Sequence, residues 1–190
     1  MLVYLIRHPQ PIEAQGLCYG REDLPVERSA VAAAAAAVRG RIPAAVLRSA
    51  TVFSSPMSRC LGLARELADL CEPIVSDDLV ELNFGAWEGM AWEAVPRDEL
   101  NAWAADVWEY RPGGGESAAM AAGRWRRWSQ ALQHRATDAV LAVTHAGLIR
   151  VALACAGELS GPSFASFSIP FGSIHRIGLE ERAAAASLRA

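Results

Sequence analysis

Lysine is absent from this 190-residue chain, so all 18 basic residues are arginines. A Schiff-base lysine and the lysine of a phosphate-binding P-loop are therefore both excluded. The net charge of −3 also lacks the basic excess that a general nucleic-acid binder uses to hold a phosphate backbone. We therefore expect no nucleic-acid partner.

Cysteine is scarce, and its spacing matches no common metal or redox motif. None of the four cysteines forms a C-x-x-C pair or lies beside a histidine at metal-ligand spacing. They are Cys18, Cys60, Cys71 and Cys155. This pattern favours free thiols in a reducing compartment and predicts no metal site.

Long apolar runs and signal-peptide features are absent as well. No run is long enough to span a bilayer, and the N-terminus has no basic stretch followed by a small-residue cleavage site. We therefore expect a cytoplasmic protein with no membrane partner. A chain of this length is expected to bury one substantial core, which predicts a single domain over residues 1–190.

Three apolar runs end in residues that suit anion chemistry. Residues 2–6 lead directly into Arg7 and His8, residues 139–144 lead into His145, and residues 52–55 precede Arg59. Strands that alternate with helices predict an α/β fold of three αβα layers with a mostly parallel central sheet. Ligands bind at the carboxyl ends of such strands, so these side chains are expected to meet there.

Local patterns predict the helices that cover the sheet. An alanine-rich helix is expected over residues 29–39, and another helix is expected to begin near Pro56. The inward face expected for the second helix comprises Leu61, Ala64, Leu67, Ala68 and Cys71. Ser117 is the expected N-cap of a later helix. The inward face of that helix is expected to carry Ala121, Trp125, Trp128 and Leu132.

The segment between these helices is less regular and rich in tryptophan. It predicts a lid-like insertion around residues 79–117, in which Trp87 and Trp92 are candidates for a pocket wall. Residues 180–190 are predicted to be a frayed helix or disordered.

The residues at the strand ends suit a phosphate group. Arginine offers a planar set of donors for phosphoryl oxygens, and neutral imidazole is available near pH 7 as a nucleophile. A leaving alkoxide needs a proton, and Glu81 and Glu88 lie in one loop that could supply it.

Five motifs, in order, cover nearly the whole chain and resemble the histidine phosphatase superfamily, which is also called phosphoglycerate mutase-like. They are Leu5-Ile6-Arg7-His8, Ser54-Ser55-Pro56-x-x-Arg59, Glu81-x-x-Phe84-Gly85-x-Trp87-Glu88-Gly89, Gly114-Gly115-Glu116-Ser117 and Val143-Thr144-His145-Ala146-Gly147.

The resemblance implies a role for each residue at the predicted site. His8 is the expected nucleophile and forms a phosphohistidine, while Arg7, Arg59 and His145 hold the phosphoryl group. Glu81 is the expected general acid, and afterwards the base for the attacking water. Glu88 is instead assigned a structural hydrogen bond or salt bridge. The implied enzyme is a phosphomonoesterase that needs no metal or cofactor and acts on a phosphorylated small molecule, as a monomer or homodimer.

Within the family, the segment Cys18-Tyr19-Gly20-Arg21-x-Asp23-Leu24-Pro25 and the pair Arg59-Cys60 resemble the alpha-ribazole phosphatase branch of cobalamin synthesis. The resemblance implies alpha-ribazole 5′-phosphate as substrate. Tyr19, Gly20 and Arg21 lie in the loop after the nucleophile and are the predicted substrate-binding residues. For Arg21, an ion pair with Glu22 or Asp23 is an equal alternative. A broad-specificity phosphatase, a phosphoglycerate mutase, a protein phosphohistidine phosphatase and a weakly catalytic phospholigand-binding protein remain open.

One segment departs from the family pattern. The usual Gly-Glu-Thr or Gly-Gln-Thr after the Arg-His pair is Pro9-Gln10-Pro11 here, and Ala14 stands where an asparagine is expected. Pro9 has no backbone N–H to donate. The departure predicts weaker phosphate binding or altered specificity.

Overall fold

A five-stranded sheet forms the centre of the computed structural model, which describes residues 1–69, 71–160 and 163–179. Its strands are β1 (Leu2–Arg7), β2 (Thr51–Ser54), β3 (Ile74–Val75), β4 (Ala139–Thr144) and β5 (Ile174–Gly178). They lie in the order β3-β2-β4-β1-β5, and β5 alone runs antiparallel to its neighbour. The predicted mostly parallel sheet is confirmed.

Helices cover both faces of this sheet. They are α1 (Arg28–Arg39), α2 (Ala44–Ser49), α3 (Ser58–Leu67), α4 (Arg97–Ala105), α5 (Ala118–Leu132), α6 (Ala146–Cys155) and α7 (Ser163–Ser166). Side chains alternate along β1: Val3 and Leu5 join one core with α5 and α6, while Tyr4 and Ile6 join another with α1 and α3. The predicted three-layer αβα architecture is therefore confirmed.

Strand register brings the predicted site residues to one edge. Arg7 pairs with Thr144, and Ser54 pairs with Val143, so the residues that follow each strand leave the sheet together. β4 is the central strand of the sheet, and all six of its residues are therefore buried. His8 and His145 consequently emerge side by side at the carboxyl edge.

The inward face of α3 differs from the prediction. Cys60, Leu63, Ala64 and Leu67 are its buried apolar residues, whereas Leu61 is only half-buried and Cys71 is exposed beyond the end of the helix. Ala64 and Leu67 are buried as predicted. The Asp23 carboxylate anchors the start of the helix by accepting hydrogen bonds from the Ser58 N–H and hydroxyl, next to the buried Arg59.

The α5 predictions are confirmed. The Ser117 hydroxyl accepts the Met120 N–H at 3.2 Å, which caps the helix. All four residues of the predicted inward face are buried.

The segment over residues 79–117 holds α4 and several 3-10 turns. The backbones near Gly85 and Gly113 approach so closely that a Cβ on either residue would overlap the other loop, and both residues have positive φ. The glycine-rich motif therefore serves this interlocking contact. No helix among the described residues has the length and apolar character to cross a membrane. The predicted tail over residues 180–190 lies outside the described residues.

Candidate active site

His8 follows β1 and is 2 % exposed. Its Nδ1 lies 2.7 Å from the Pro9 carbonyl oxygen. Because a carbonyl only accepts, Nδ1 carries the proton and the neutral ring keeps its lone pair on Nε2. Burial lowers the pKa of His8 to about 3, and the charges of Arg59 and Arg7 act in the same direction against the Pro9 hydrogen bond. The imidazole is therefore neutral and poised to attack through Nε2.

His145 is fully buried, and its ring centroid lies 5.0 Å from that of His8. Arg59 Nε donates to His145 Nδ1 at 3.4 Å, which leaves the ring proton on Nε2. That Nε2–H donates to the Ser55 hydroxyl at 2.9 Å. Burial, followed by the neighbouring His8 and arginine charges, holds the pKa of His145 well below its usual value. Two neutral imidazoles thus lie edge to face.

Arg59 projects from α3 and is fully buried. Its Nη1 and Nη2 donate to the Glu22 and Gly20 carbonyl oxygens, both at 2.6 Å, and Asp23 lies 3.7 Å from Nη1. With the bond to His145, three of its five N–H groups have protein acceptors. The fully buried guanidinium thus places its charge beside the His145 imidazole.

Arg7 lies at the other side of His8. Its guanidinium stacks 3.7 Å from the centre of the Phe171 ring, and Nη1 donates to the Ile169 carbonyl at 2.5 Å. Its buried Nε has no hydrogen-bond partner among the described residues. Burial lowers the pKa of Arg7, while the nearby Glu81 and Tyr19 oppose that shift. An unpaired donor beside the nucleophile suits an anionic ligand.

Glu81 lies at the N-terminus of α6. Its carboxylate accepts N–H groups from Leu82 at 3.0 Å, Gly147 at 3.1 Å and Leu148 at 3.2 Å. A Cβ on Gly147 would overlap the Glu81 carboxylate, so this glycine allows the approach. The first turn of a helix attracts negative charge, which holds the carboxylate in one position.

A cavity of about 310 Å³ opens beside these groups. Five polar side chains line it: Arg7, His8, Tyr19, Glu81 and Arg150. Most of the other lining residues are apolar or aromatic and come largely from the segment over residues 79–117. The predicted phosphate-binding residues Arg59 and His145 do not line this cavity. In the described part of the chain, no three His, Cys, Asp or Glu side chains group as a metal site.

This arrangement agrees with the family that the sequence matches. Residues 3–189 match the Histidine phosphatase superfamily (branch 1). The chain belongs to this superfamily. The expectation of a histidine phosphatase enzyme is thereby confirmed at the level of the family.

Several proteins are similar to this histidine phosphatase. The bifunctional protein Rv2228c of Mycobacterium tuberculosis is 47% identical over 75 residues, a stretch that spans 36% of this chain but only 20% of that relative. The structure of TTHB049 from Thermus thermophilus is 26% identical, with 93% of each chain covered and a TM-score of 0.72. The mycobacterial glucosyl-3-phosphoglycerate phosphatase Rv2419c is 22% identical, covers 93% of this chain and 89% of its own, and has a TM-score of 0.78. The last likeness is one of fold.

Two of the predicted substrate-binding residues of this histidine phosphatase do not line the cavity. Gly20 is buried, and a Cβ there would overlap the Leu82 carbonyl. Arg21 pairs neither with Glu22 nor with Asp23. Its Nε donates to the Glu81 carbonyl at 2.9 Å and its Nη2 lies 3.6 Å from Glu116. Tyr19 does line the cavity beside Arg7.

Glu88 forms structural hydrogen bonds, as predicted, and is not a second acid beside the nucleophile. Its carboxylate accepts N–H groups from Gly20, Arg21, Glu22 and Phe84 at 2.8–3.2 Å. It therefore joins the loop after the nucleophile to the loop that carries Glu81. Since Arg59 binds carbonyls of the same first loop, Glu88 also helps to position that arginine.

Trp103 and Arg150 are among the residues of this histidine phosphatase's cavity that sequence reasoning missed. Arg150 follows Gly147 by three positions on α6, and this helical spacing was a signal that it shares the face of the site. Trp103 lies on α4, which no strong pattern predicted. Of the two tryptophans proposed for the pocket, Trp92 lines it, whereas Trp87 is buried and donates to Glu99 at 2.7 Å.

Proposed function

We propose that this protein is a metal-independent phosphomonoesterase that works through a phosphohistidine at His8. The observation that carries the proposal is the hydrogen bond to the Pro9 carbonyl, which leaves the lone pair on Nε2 beside an unpaired donor of Arg7. Such a pair suits a nucleophile next to a dianionic phosphoryl group.

The chemistry divides into two displacements. His8 Nε2 attacks phosphorus, the bond to the alcohol oxygen breaks, and protonated Glu81 gives its proton to that oxygen. Glu81, now ionised, then takes a proton from water as the water oxygen attacks the phosphohistidine. Phosphate leaves, and the electron pair of the P–N bond returns to Nε2. Arg7, Arg59 and His145 hold the phosphoryl oxygens in both steps.

The first experiment compares His8→Ala with His134→Ala, whose parent side chain is exposed and outside the site. Steady-state phosphate release in EDTA should fall by more than about 10³-fold for the first variant only. Acid-quenched wild-type enzyme should also carry an acid-labile, alkali-stable phosphoryl group that His8→Ala lacks. Full activity in a folded His8→Ala protein would disprove the mechanism.

Within this activity, we propose alpha-ribazole 5′-phosphate as the substrate. The resemblance of residues 18–25 to that branch supports the choice, and so does the position of Tyr19 in the cavity lining. A panel in EDTA should include this ester, sugar phosphates, nucleotides, 3-phosphoglycerate and glucosyl-3-phosphoglycerate, the last because Rv2419c shares the fold. A marked preference in kcat/KM for alpha-ribazole 5′-phosphate is expected.

The other outcomes of that panel separate the alternatives. Similar rates on many esters would indicate a broad-specificity phosphatase, and phosphoryl exchange with 2,3-bisphosphoglycerate would indicate a mutase. Binding of phosphate analogues without turnover would indicate a phospholigand-binding protein.

We also propose that residues 1–190 form one domain, in which residues 79–117 act as a lid-like insertion. The contribution of Phe84, Trp92 and Trp103 to the cavity wall supports this role. A phosphate analogue in the cavity should then protect this segment from limited proteolysis.

A further inference from the structure

The cavity beside His8 has two ends of opposite character. The polar side chains lie near one another: Tyr19 is beside Arg7, and the Glu81 carboxylate attracts both Arg7 and Arg150. The far wall consists of Leu17, Phe84, Trp92, Trp103, Val107 and Phe164. The polar end is occupied by the phosphoryl chemistry, so the far wall is left to contact the alcohol portion of the substrate.

The far wall contains a tight aromatic cluster. Trp92 and Trp103 are stacked, with ring centroids 6.1 Å apart and planes 6° from parallel. Phe84 meets both rings edge to face, at 5.7 Å and 6.0 Å. Aromatic pairs at these distances attract each other, so the cluster presents a preformed apolar surface.

A hydrogen bond outside the cavity fixes this surface in place. Glu99 and Trp103 lie one turn apart on α4, on the same face of the helix. The Glu99 carboxylate accepts the indole N–H of buried Trp87 at 2.7 Å. This bond ties α4 to the loop that carries Phe84, and it holds Trp103 toward the cavity.

The wall has little to offer a hydroxylated ligand. No Asn, Gln, Asp, Ser or Thr side chain lines the cavity in the part of the chain that the structure describes. A sugar hydroxyl placed against the wall would lose its water and find no side-chain partner other than the indole N–H of Trp92 or Trp103, which disfavours a ring that carries several hydroxyls. An apolar ring would instead exchange water for aromatic contacts.

We propose that this aromatic wall selects phosphomonoesters of apolar, ring-containing alcohols over phosphates of polyhydroxylated sugars. Trp103 is the specificity-determining residue of the wall. The inference rests on the proposed phosphatase function, but it does not depend on alpha-ribazole 5′-phosphate being the substrate.

The test uses two esters with the same type of leaving group. Benzyl phosphate and glucose 6-phosphate are both esters of primary alcohols with a six-membered ring, and they differ in the polarity of that ring. The ratio of their kcat/KM values should favour benzyl phosphate by about tenfold or more. Trp103→Gln should reduce that ratio by at least about fivefold, whereas Trp103→Phe should retain most of it.

The control is Met120→Gln. Met120 is exposed on α5 and does not line this cavity, so its substitution should leave the ratio unchanged. Circular dichroism and thermal unfolding establish that each variant is folded. Equal or greater kcat/KM for glucose 6-phosphate in wild type, or an unchanged ratio in folded Trp103→Gln, would overturn the proposal.

A binding measurement separates this inference from the proposed function. Calorimetry should give a Kd for benzylphosphonate about tenfold or more below that for inorganic phosphate, and Trp103→Gln should remove the difference. Tighter binding of benzylphosphonate without turnover of any ester would refute the phosphatase proposal but support the selectivity of the aromatic wall. Equal Kd values for the two ligands would refute the proposed selectivity of the aromatic wall, even if the enzyme is an active phosphatase.

Discussion

Burial of a neutral His8 should make the protein sensitive to mild acid. Its pKa is lowered from 6.5 to about 3 in the native structure, because the buried ring has lost its hydration. Between these values the unfolded chain binds a proton at this site and the native protein does not. Unfolding therefore becomes more favourable as pH falls from 6.5 toward 3, and above 6.5 the effect disappears because both states are neutral.

The size of the effect follows from the two pKa values. At pH 5 the unfolded histidine is almost fully protonated, so the native state loses about 2 kcal/mol relative to pH 8. At pH 3 the loss reaches about 4 kcal/mol, because the native histidine is then itself half-protonated. The side chain is 2 % exposed, so solvent does little to screen it. His145 acts in the same direction and adds to the total loss of the wild type.

Urea unfolding at pH 8 and pH 5 isolates the contribution of His8. His8→Gln cannot titrate there, so wild type should lose about 2 kcal/mol more than this variant between the two pH values. The exposed His134→Gln variant serves as the control and should follow wild type. Equal losses in wild type and His8→Gln would refute the reasoning, because they would mean that the native site accepts the proton readily.

Three further predictions concern the supports of the site. Arg124→Leu removes the two hydrogen bonds of 2.8 Å and 3.1 Å that Arg124 donates to the buried Glu116 carboxylate. Because the Asn83 N–H and Arg21 still contact this carboxylate, the variant should cost about 3 kcal/mol in chemical unfolding, and a loss below about 1 kcal/mol would contradict this. Ser117→Ala removes the α5 cap and should cost about 1 kcal/mol, measured in the same way, and an unchanged midpoint would argue against it. Glu88→Gln should lower the free energy of unfolding by about 1–3 kcal/mol. It should also lower kcat/KM, because the loop whose carbonyls bind Arg59 loosens. Unaltered kinetics would show that Glu88 does not help to position that arginine.

The strand-end residues could be predicted from the chain alone. Apolar runs before Arg7 and His145 mark buried strands, and parallel strands must deliver their carboxyl ends to one edge. The Ser117 cap was predictable for the same local reason, since it depends on residues within one turn. The positions of these residues in the fold therefore follow from patterns of neighbouring residues in the sequence.

Other parts of the site depend on contacts that no local pattern encodes. No residue of α4 is fully buried, so its sequence gives no clear periodic signal, yet it carries Trp103 to the cavity. Gly20 and Arg21 were predicted to contact substrate because they follow the nucleophile. Instead, the Glu88 carboxylate, 68 positions from Gly20, accepts their N–H groups. Such long-range bonds decide which side of a loop faces a cavity.

Pro9 affects the site in two separate ways, through the backbone N–H that it lacks and through the carbonyl oxygen that it keeps. Proline at this position has no N–H, so the loop beside His8 has one backbone donor fewer. Its carbonyl, however, remains, and that oxygen accepts the His8 Nδ1–H at 2.7 Å. Because the ring of proline restricts φ, the direction of the chain beside His8 is also constrained. The departure therefore bears on phosphate affinity, while the tautomer that a nucleophilic Nε2 requires is preserved. This favours a catalytic site over a binding protein that has lost its chemistry.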